Sequence, residues 1–383
     1  MHRGIAIALA LATAVAGVAS AQSPRAVQFH GFGSWAYGNT DGNTYLFGTD
    51  QGSYDNTSFA LNVNAAISDQ LTIAAQMDWA TGEMAAGGNE VEVDLSFAFV
   101  EWRFSDALRL RAGRVKQPFG LYTEILDVGT ARPFIDLPQG VYGGNALTTD
   151  AYEGLGLKGR AQLSSTWGIE YSLYGGLLDL PLDVPDFSVI GVFVPDSGEL
   201  RDVVGGQVVL EPPIAGLRFG ASAYRGVNSA TEAPGGPGPI LVVGESGART
   251  AEQLFVEYLG DHLWVRGEVA RNTGETATVD AAYAEIAYKL DRHWQVAGRW
   301  DWSEIDTGAL LEGFPTWATA ITRHKDLAIA LNYWFSPDLV VKLEYHDVQG
   351  NRYAWPEDWM PVFLGGALDD SAKLVQFGVQ FSF

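Results

Sequence analysis

The residues of this chain that could do chemistry are its charges and its histidines. Cysteine is absent, which removes thiol nucleophiles, disulfide frameworks and zinc ribbons. Beyond the N-terminal segment stand His30, His262, His293, His324 and His346. None lies in an H-E-x-x-H pattern, and no G-x-S-x-G elbow precedes a helix. His346-Asp347 joins a base to an acid, but neighbours on an extended chain point to opposite sides. A hydrolase is therefore a secondary reading, and an adhesin or structural protein a third. The denser feature is a set of cations, Arg109, Arg111, Arg114, Lys116, Lys158 and Arg160, around Glu124, Asp127, Arg132 and Asp136. Fixed charges on the walls of a narrow aqueous passage sort ions by sign, and opposed patches orient polar solutes. Asp41, Asp50, Asp55, Asp179, Asp183 and Asp186 offer oxygen ligands without the ordered spacing of a calcium loop. Solvated surface charge is their default, and we expect no metal and no cofactor.

Composition narrows what could present those charges. The 383 residues carry 46 acids against 24 Lys and Arg, a net charge of −22, which argues against nucleic acid as a partner. Yet only 18% of residues are charged and 47% are hydrophobic, so the chain is both very acidic and rather apolar. Residues 1–21 read as a cleaved secretory signal: a basic start at His2 and Arg3, an apolar run, and Ala19-Ser20-Ala21 placed like a cleavage site. No later apolar run is long enough for a membrane helix. An exported chain of this kind is either soluble outside the cytoplasm or a barrel.

Periodicity favours the barrel. From residue 26 onward, apolar and polar or small residues alternate over segments of about ten positions, longer than the five or six of ordinary strands and near the 9–11 of tilted membrane strands. Sixteen such segments are expected, at 26–37, 56–67, 71–80, 91–104, 108–115, 152–163, 166–177, 202–211, 216–227, 249–259, 262–272, 279–290, 293–303, 323–335, 339–348 and 372–383. Their connections alternate between tight turns and mostly longer loops. An even strand number with that asymmetry predicts an all-β transmembrane antiparallel barrel, 22–383, in one domain. Sixteen strands leave room for an aqueous lumen. In hydrocarbon no edge can stay unpaired, so the first strand must meet the last. Trp35, Trp79, Trp102, Trp167, Trp300, Trp302 and Trp334 suit interfacial girdles.

Parity then assigns faces. Leu108, Leu110 and Ala112 turn toward lipid, leaving Arg109 and Arg111 inside; Leu155, Leu157 and Ala161 turn out, leaving Lys158 and Arg160 inside. The same rule places Arg218, Arg266, Arg299 and Lys342 in the lumen, interleaved with Glu257, Glu268, Glu285, Asp301 and Glu344. For any single one of them, a wall salt bridge is the default role.

The longest connection, 116–151, is entered through Gly113-Arg114-Val115-Lys116-Gln117-Pro118-Phe119-Gly120-Leu121-Tyr122. This stretch resembles a large family of Gram-negative outer-membrane porins related to the phosphate-selective porins, and the strand pattern extends the resemblance over the mature chain. The C-terminal strand, ending on Phe383, resembles the signature read by barrel-assembly machinery. The resemblance implies a water-filled channel for passive diffusion of small hydrophilic solutes and ions, a third loop folded into the lumen as constriction, and a homotrimer in outer-membrane lipid and lipopolysaccharide. Phe119, Leu121, Phe134, Ile135 and Leu137 would dock that loop. Acids interleaved with the bases put a dedicated anion or phosphate function second to general diffusion.

Overall fold

A computed structural model describes residues 27–81, 91–143, 147–181, 192–193, 197–228, 241–242, 247–275, 277–306, 322–354 and 369–383. The expected signal at 1–21 lies outside them, as do Asp183 and Asp186. The described chain forms a closed barrel of sixteen long antiparallel strands. In chain order they are β1 Val27–Thr40, β2 Ser53–Ala66, β3 Leu71–Thr81, β4 Val91–Ser105, β5 Leu108–Lys116, β6 Ala151–Gln162, β7 Gly168–Pro181 and β8 Ser197–Glu211. There follow β9 Leu217–Asn228, β10 Gly247–Leu259, β11 Leu263–Thr273, β12 Thr278–Lys289, β13 Trp294–Asp306, β14 Arg323–Ser336, β15 Leu339–Gln349 and β16 Ser371–Ser382. Each strand pairs with its sequence neighbours, and β1 pairs with β16 through Gly33↔Phe381, Trp35↔Val379 and Tyr37↔Phe377, which closes the ring. Closure gives every strand two partners and removes the edges that hydrocarbon cannot solvate.

Alternation gives the two faces opposite chemistry. Along β14 and β16 burial alternates strictly. Leu327, Ile329 and Leu331 are exposed while Asp326, Ala328, Ala330 and Asn332 are buried. In a ring of strands the shielded face is the inner one, so the apolar side chains form the outer surface. So much exposed Leu, Val and Phe would be an aggregation liability in water. Against hydrocarbon it is the required solvent match.

Several strands run past their expected limits at the long-connection end: β8 begins at Ser197 rather than 202, and β7 ends at Pro181 rather than 177. Alternation is imposed by lipid, whereas hairpin pairing stays favourable beyond it, so the ladder outlasts the pattern. The aromatic girdle also needs one correction. Trp334 points inward, 9% exposed, with its ring N–H directed at Gln295 Oε1. At the tight-turn end its place is taken by Tyr333, which meets both Trp294 and Phe335 edge-on.

Candidate functional site

The inner face divides into two sectors. On β4 to β9 the inward charges remain partly open to water. Arg111 Nε donates to Glu101 Oε2 at 2.8 Å, and its guanidinium lies 4.9 Å over the Phe99 ring. Arg109 lies 3.7 Å from Glu101 and, on the next strand, directly opposite Lys158. Lys158 Nζ donates to both oxygens of Glu124, at 2.8 and 3.0 Å, and Arg111 lies 3.9 Å from the same carboxylate. Arg218 acts on it through space while donating to Glu257. Glu124 therefore sits among three cations from β5, β6 and β9. Desolvation inside the ring favours its neutral acid, but Lys158, through charge and hydrogen bonds, and then Arg111 and Arg218 outweigh this and hold the carboxyl below the ordinary carboxylate range. Arg160 is nearer the tight-turn end, bonded to Glu170 with Glu211 at 3.7 Å. A polar recess of about 410 Å³, lined by Ser68, Asp69, Gln70, Glu101, Arg103 and Arg109, opens at that end.

The second sector, β10 to β16, carries contacts from the segment 119–142. Two 3₁₀ turns, Thr123–Ile125 and Gly129–Ala131, and one helical turn, Gln139–Tyr142, give this segment its shape. Its backbone groups find partners in strand side chains, as buried polar groups must. Lys342 Nζ donates to Gly129 O, Arg132 O and Phe134 O at 2.8–3.0 Å. Ile135 N donates to Glu344 Oε1 at 2.6 Å, Gly140 N to Asp301, and Asn332 Nδ2 to Pro133 O. Arg299 Nη1 donates to Asp136 O at 2.8 Å, with its guanidinium 4.3 Å over the Phe134 ring. Arg266 bonds Glu257, the Tyr122 hydroxyl and Ala131 O.

Packing explains why the segment lies on that sector. Phe134 is buried against Ala287, Ala297, Ala328 and Ala330, and Tyr122 packs among Ala270, Val279, Ala281 and Tyr283. Phe119, at the start of the segment, packs instead on the first sector, among Val115, Tyr152, Tyr174 and Tyr224. Inward alanines leave the volume that the aromatic rings fill. Gly120 is also required: its φ is +75°, and a Cβ there would lie about 2.5 Å from Glu268, Gln253 and Tyr142.

The remaining candidates fall elsewhere. Lys116, at the root of the segment, is buried between Asp127, at 2.9 Å, and Asp150; Asp127 also accepts from Gln76 on β3. Arg132 is turned back on its own segment and donates to Leu126 O and Ile135 O. Asp136 is buried with Oδ2 unpartnered. Burial first, then Glu344, pushes its carboxyl up to about 6, against the pull of His346, Arg132 and Arg299. Arg114 is the exception among those expected to line the inner wall. It pairs across the sheet with Ala98 and Glu153, shares the face of Leu110 and Leu155, and is bonded to Glu153 at 3.2 Å. It therefore faces outward, near the outer end of β5.

Sequence reasoning missed Glu101, Asp150, Gln76 and the bridge from Asp326 to His346, Nδ1 at 2.7 Å. Parity would have found Glu101 on the Phe99 face. The His346 partner lies on the neighbouring strand, which no local spacing reveals. Among the described residues the ring bonds carboxylates on both sides, Asp326 and Glu344. Among the described residues, no group of three or more His, Asp or Glu side chains is placed to hold a metal ion.

No protein-family model matches the chain, and no curated protein matches it. Solved structures do. The outer membrane channel DcaP of Acinetobacter baumannii matches with a TM-score of 0.59 at 11% identity, over 93% of this chain and 97% of that one. The protein has the fold of outer-membrane porins. OmpF of Salmonella typhi, in complex with daunomycin, matches at 0.58 and 12% identity over 94% and 98%. An anion-selective porin from Comamonas acidovorans matches at 0.55 and 11% over 94% and 99%.

Proposed function

We propose that the protein is a porin of the Gram-negative outer membrane, a water-filled channel for passive diffusion of small hydrophilic solutes and ions. The observation that carries this reading is the asymmetry of the inner face: one sector is covered by the segment 119–142, while the charged wall from β4 to β9 stays partly open. The segment 116–151 then acts as the constriction, facing Arg109, Arg111, Lys158, Arg160 and Arg218. In this reading residues 1–21 are removed on export, 22–383 form one domain, and the barrel sits as a homotrimer in lipopolysaccharide-containing membrane.

Selectivity is weak in this reading, because each open cation has a carboxylate beside it: Glu101 for Arg109 and Arg111, Glu124 for Lys158, Glu170 for Arg160, Glu257 for Arg218. A phosphate-selective pore needs a cationic ladder without that neutralisation, which places it second. Purified protein in planar bilayers should give stepwise ohmic conductance with reversal potentials near those of free ion mobilities. Replacing Arg109, Arg111 and Arg160 together with Gln should move the preference toward cations. Absence of channels from folded protein would defeat the porin reading, and micromolar block by inorganic phosphate would favour the selective one.

A further inference from the structure

Arg352 differs from every cation considered so far. It lies just beyond β15 in the connection to β16, is only 4% exposed, and among the described residues none of its Nε, Nη1 and Nη2 atoms has a hydrogen-bond partner. Its place is not incidental. The Arg352 backbone N–H donates to Arg323 O, and the preceding Asn351 accepts from Asn43 Nδ2 at 2.7 Å and donates to Asp369 O at 2.8 Å. The start of β14 and the β1–β2 and β15–β16 connections are thus stitched together around it. The guanidinium lies 5.2 Å over the Tyr353 ring; Tyr353 meets His324 edge-on at 4.8 Å, and His324 stacks on Tyr45 at 5.8 Å. Tyr45, bridged through its backbone to Ala354, is itself buried with its hydroxyl unpartnered. Asp301, whose charge reaches Arg352, is already engaged by Gly140 N and His324.

A buried guanidinium without acceptors is among the costliest arrangements a protein can hold. It is expected where the missing acceptor arrives from outside. We propose that Arg352 forms a binding site for the oxyanion of a small solute, a carboxylate or a phosphate. The planar fork of Arg352 matches two such oxygens, and the Tyr353 ring beside the guanidinium, with His324 against it, walls the site. The site lies at the long-connection end, clear of the charged wall of β5 and β6. It does not depend on conduction, so it goes beyond the porin reading and can be tested apart from it.

Isothermal titration calorimetry on the full-length protein in detergent, with sodium succinate and inorganic phosphate titrated separately, tests the site. Saturable binding of at least one anion is expected, and which of them saturates separates carboxylate from phosphate. Arg352→Gln should weaken binding about tenfold or more, as loss of a charged hydrogen-bonding group, and Arg352→Lys, which keeps the charge without the fork, about threefold. Heat-dependent gel mobility checks that each variant is a folded barrel; should Arg352→Gln fail to fold, Arg352→Lys decides. Wild-type protein that binds neither anion saturably, or folded variants with unchanged affinity, would overturn the proposal. Bilayer conductance of the same preparations reports on the porin reading independently.

Discussion

Glu124 illustrates how one side chain can set the sign of a wall. Its carboxylate draws on Lys158, Arg111 and Arg218 together. Removing its charge leaves those cations uncompensated. Glu124→Gln should raise the anion-to-cation permeability ratio about two- to fivefold, the equivalent of about 0.5–1 kcal/mol in a partly solvated site; reversal potentials in a salt gradient measure it. Asp136 gives a pH dependence of definite direction. Its carboxyl is raised to about 6, by burial and then Glu344, so the folded protein holds a proton that the unfolded chain gives up near 4. Stability from this group is fully present below the unfolded value and is lost as pH rises through about 6. Arg132, Arg299 and His346, which face it, limit the loss. Asp136→Asn should flatten the change in thermal unfolding between pH 4.5 and 7.5 and stabilise the protein at the upper end by about 1–3 kcal/mol.

At the scale of elements, the segment between β5 and β6 is held by a few rings and a few strand side chains. Phe134→Ala empties the space beside Ala287, Ala297, Ala328 and Ala330, a change that costs about 3–5 kcal/mol in packed interiors. If the segment narrows the channel, this variant should show larger and noisier single-channel steps while its barrel stays folded. Strand existence, order and facing were legible in the alternation, because lipid outside and polar side chains inside repeat one demand at every second residue. The interior anchors were only partly so. Parity placed Lys342 and Glu344 inward, but nothing local says that Lys342 would bind three carbonyls from residues more than two hundred positions earlier. The inward alanines were a readable signal once seen: small side chains on a face otherwise polar leave room for something to be packed there. Arg114 differs for another reason: it follows two inward arginines in a dense cationic run, yet its parity with Leu108, Leu110 and Ala112 turns it outward, so charge type alone does not give its face.

For the whole molecule the two faces should respond oppositely to the same substitution. Ile329→Arg places a charge in the middle of the outward face of β14, with an expected cost of about 2–4 kcal/mol in urea unfolding from lipid vesicles. Gln376→Arg on the inner face of β16, where the amide has no hydrogen-bond partner among the described residues, should cost less than half as much. Equal costs would contradict the assignment of faces. The seam between β1 and β16 carries a further consequence. Gly31 and Phe383 exchange backbone hydrogen bonds at 3.0 and 2.9 Å, so the described start and the end of the chain meet at the tight-turn side of a ring in which every strand has two neighbours. From Phe32 to Tyr37 the seam is antiparallel like the hairpins, and beyond it Gly48 and Thr49 add a short parallel bridge to Gly38 and Asn39. Joined there by a short linker and opened instead at Ser68–Gln70 or Gly260-Asp261, the protein should become a circular permutant with the same barrel, differing only in which strand the ribosome delivers last.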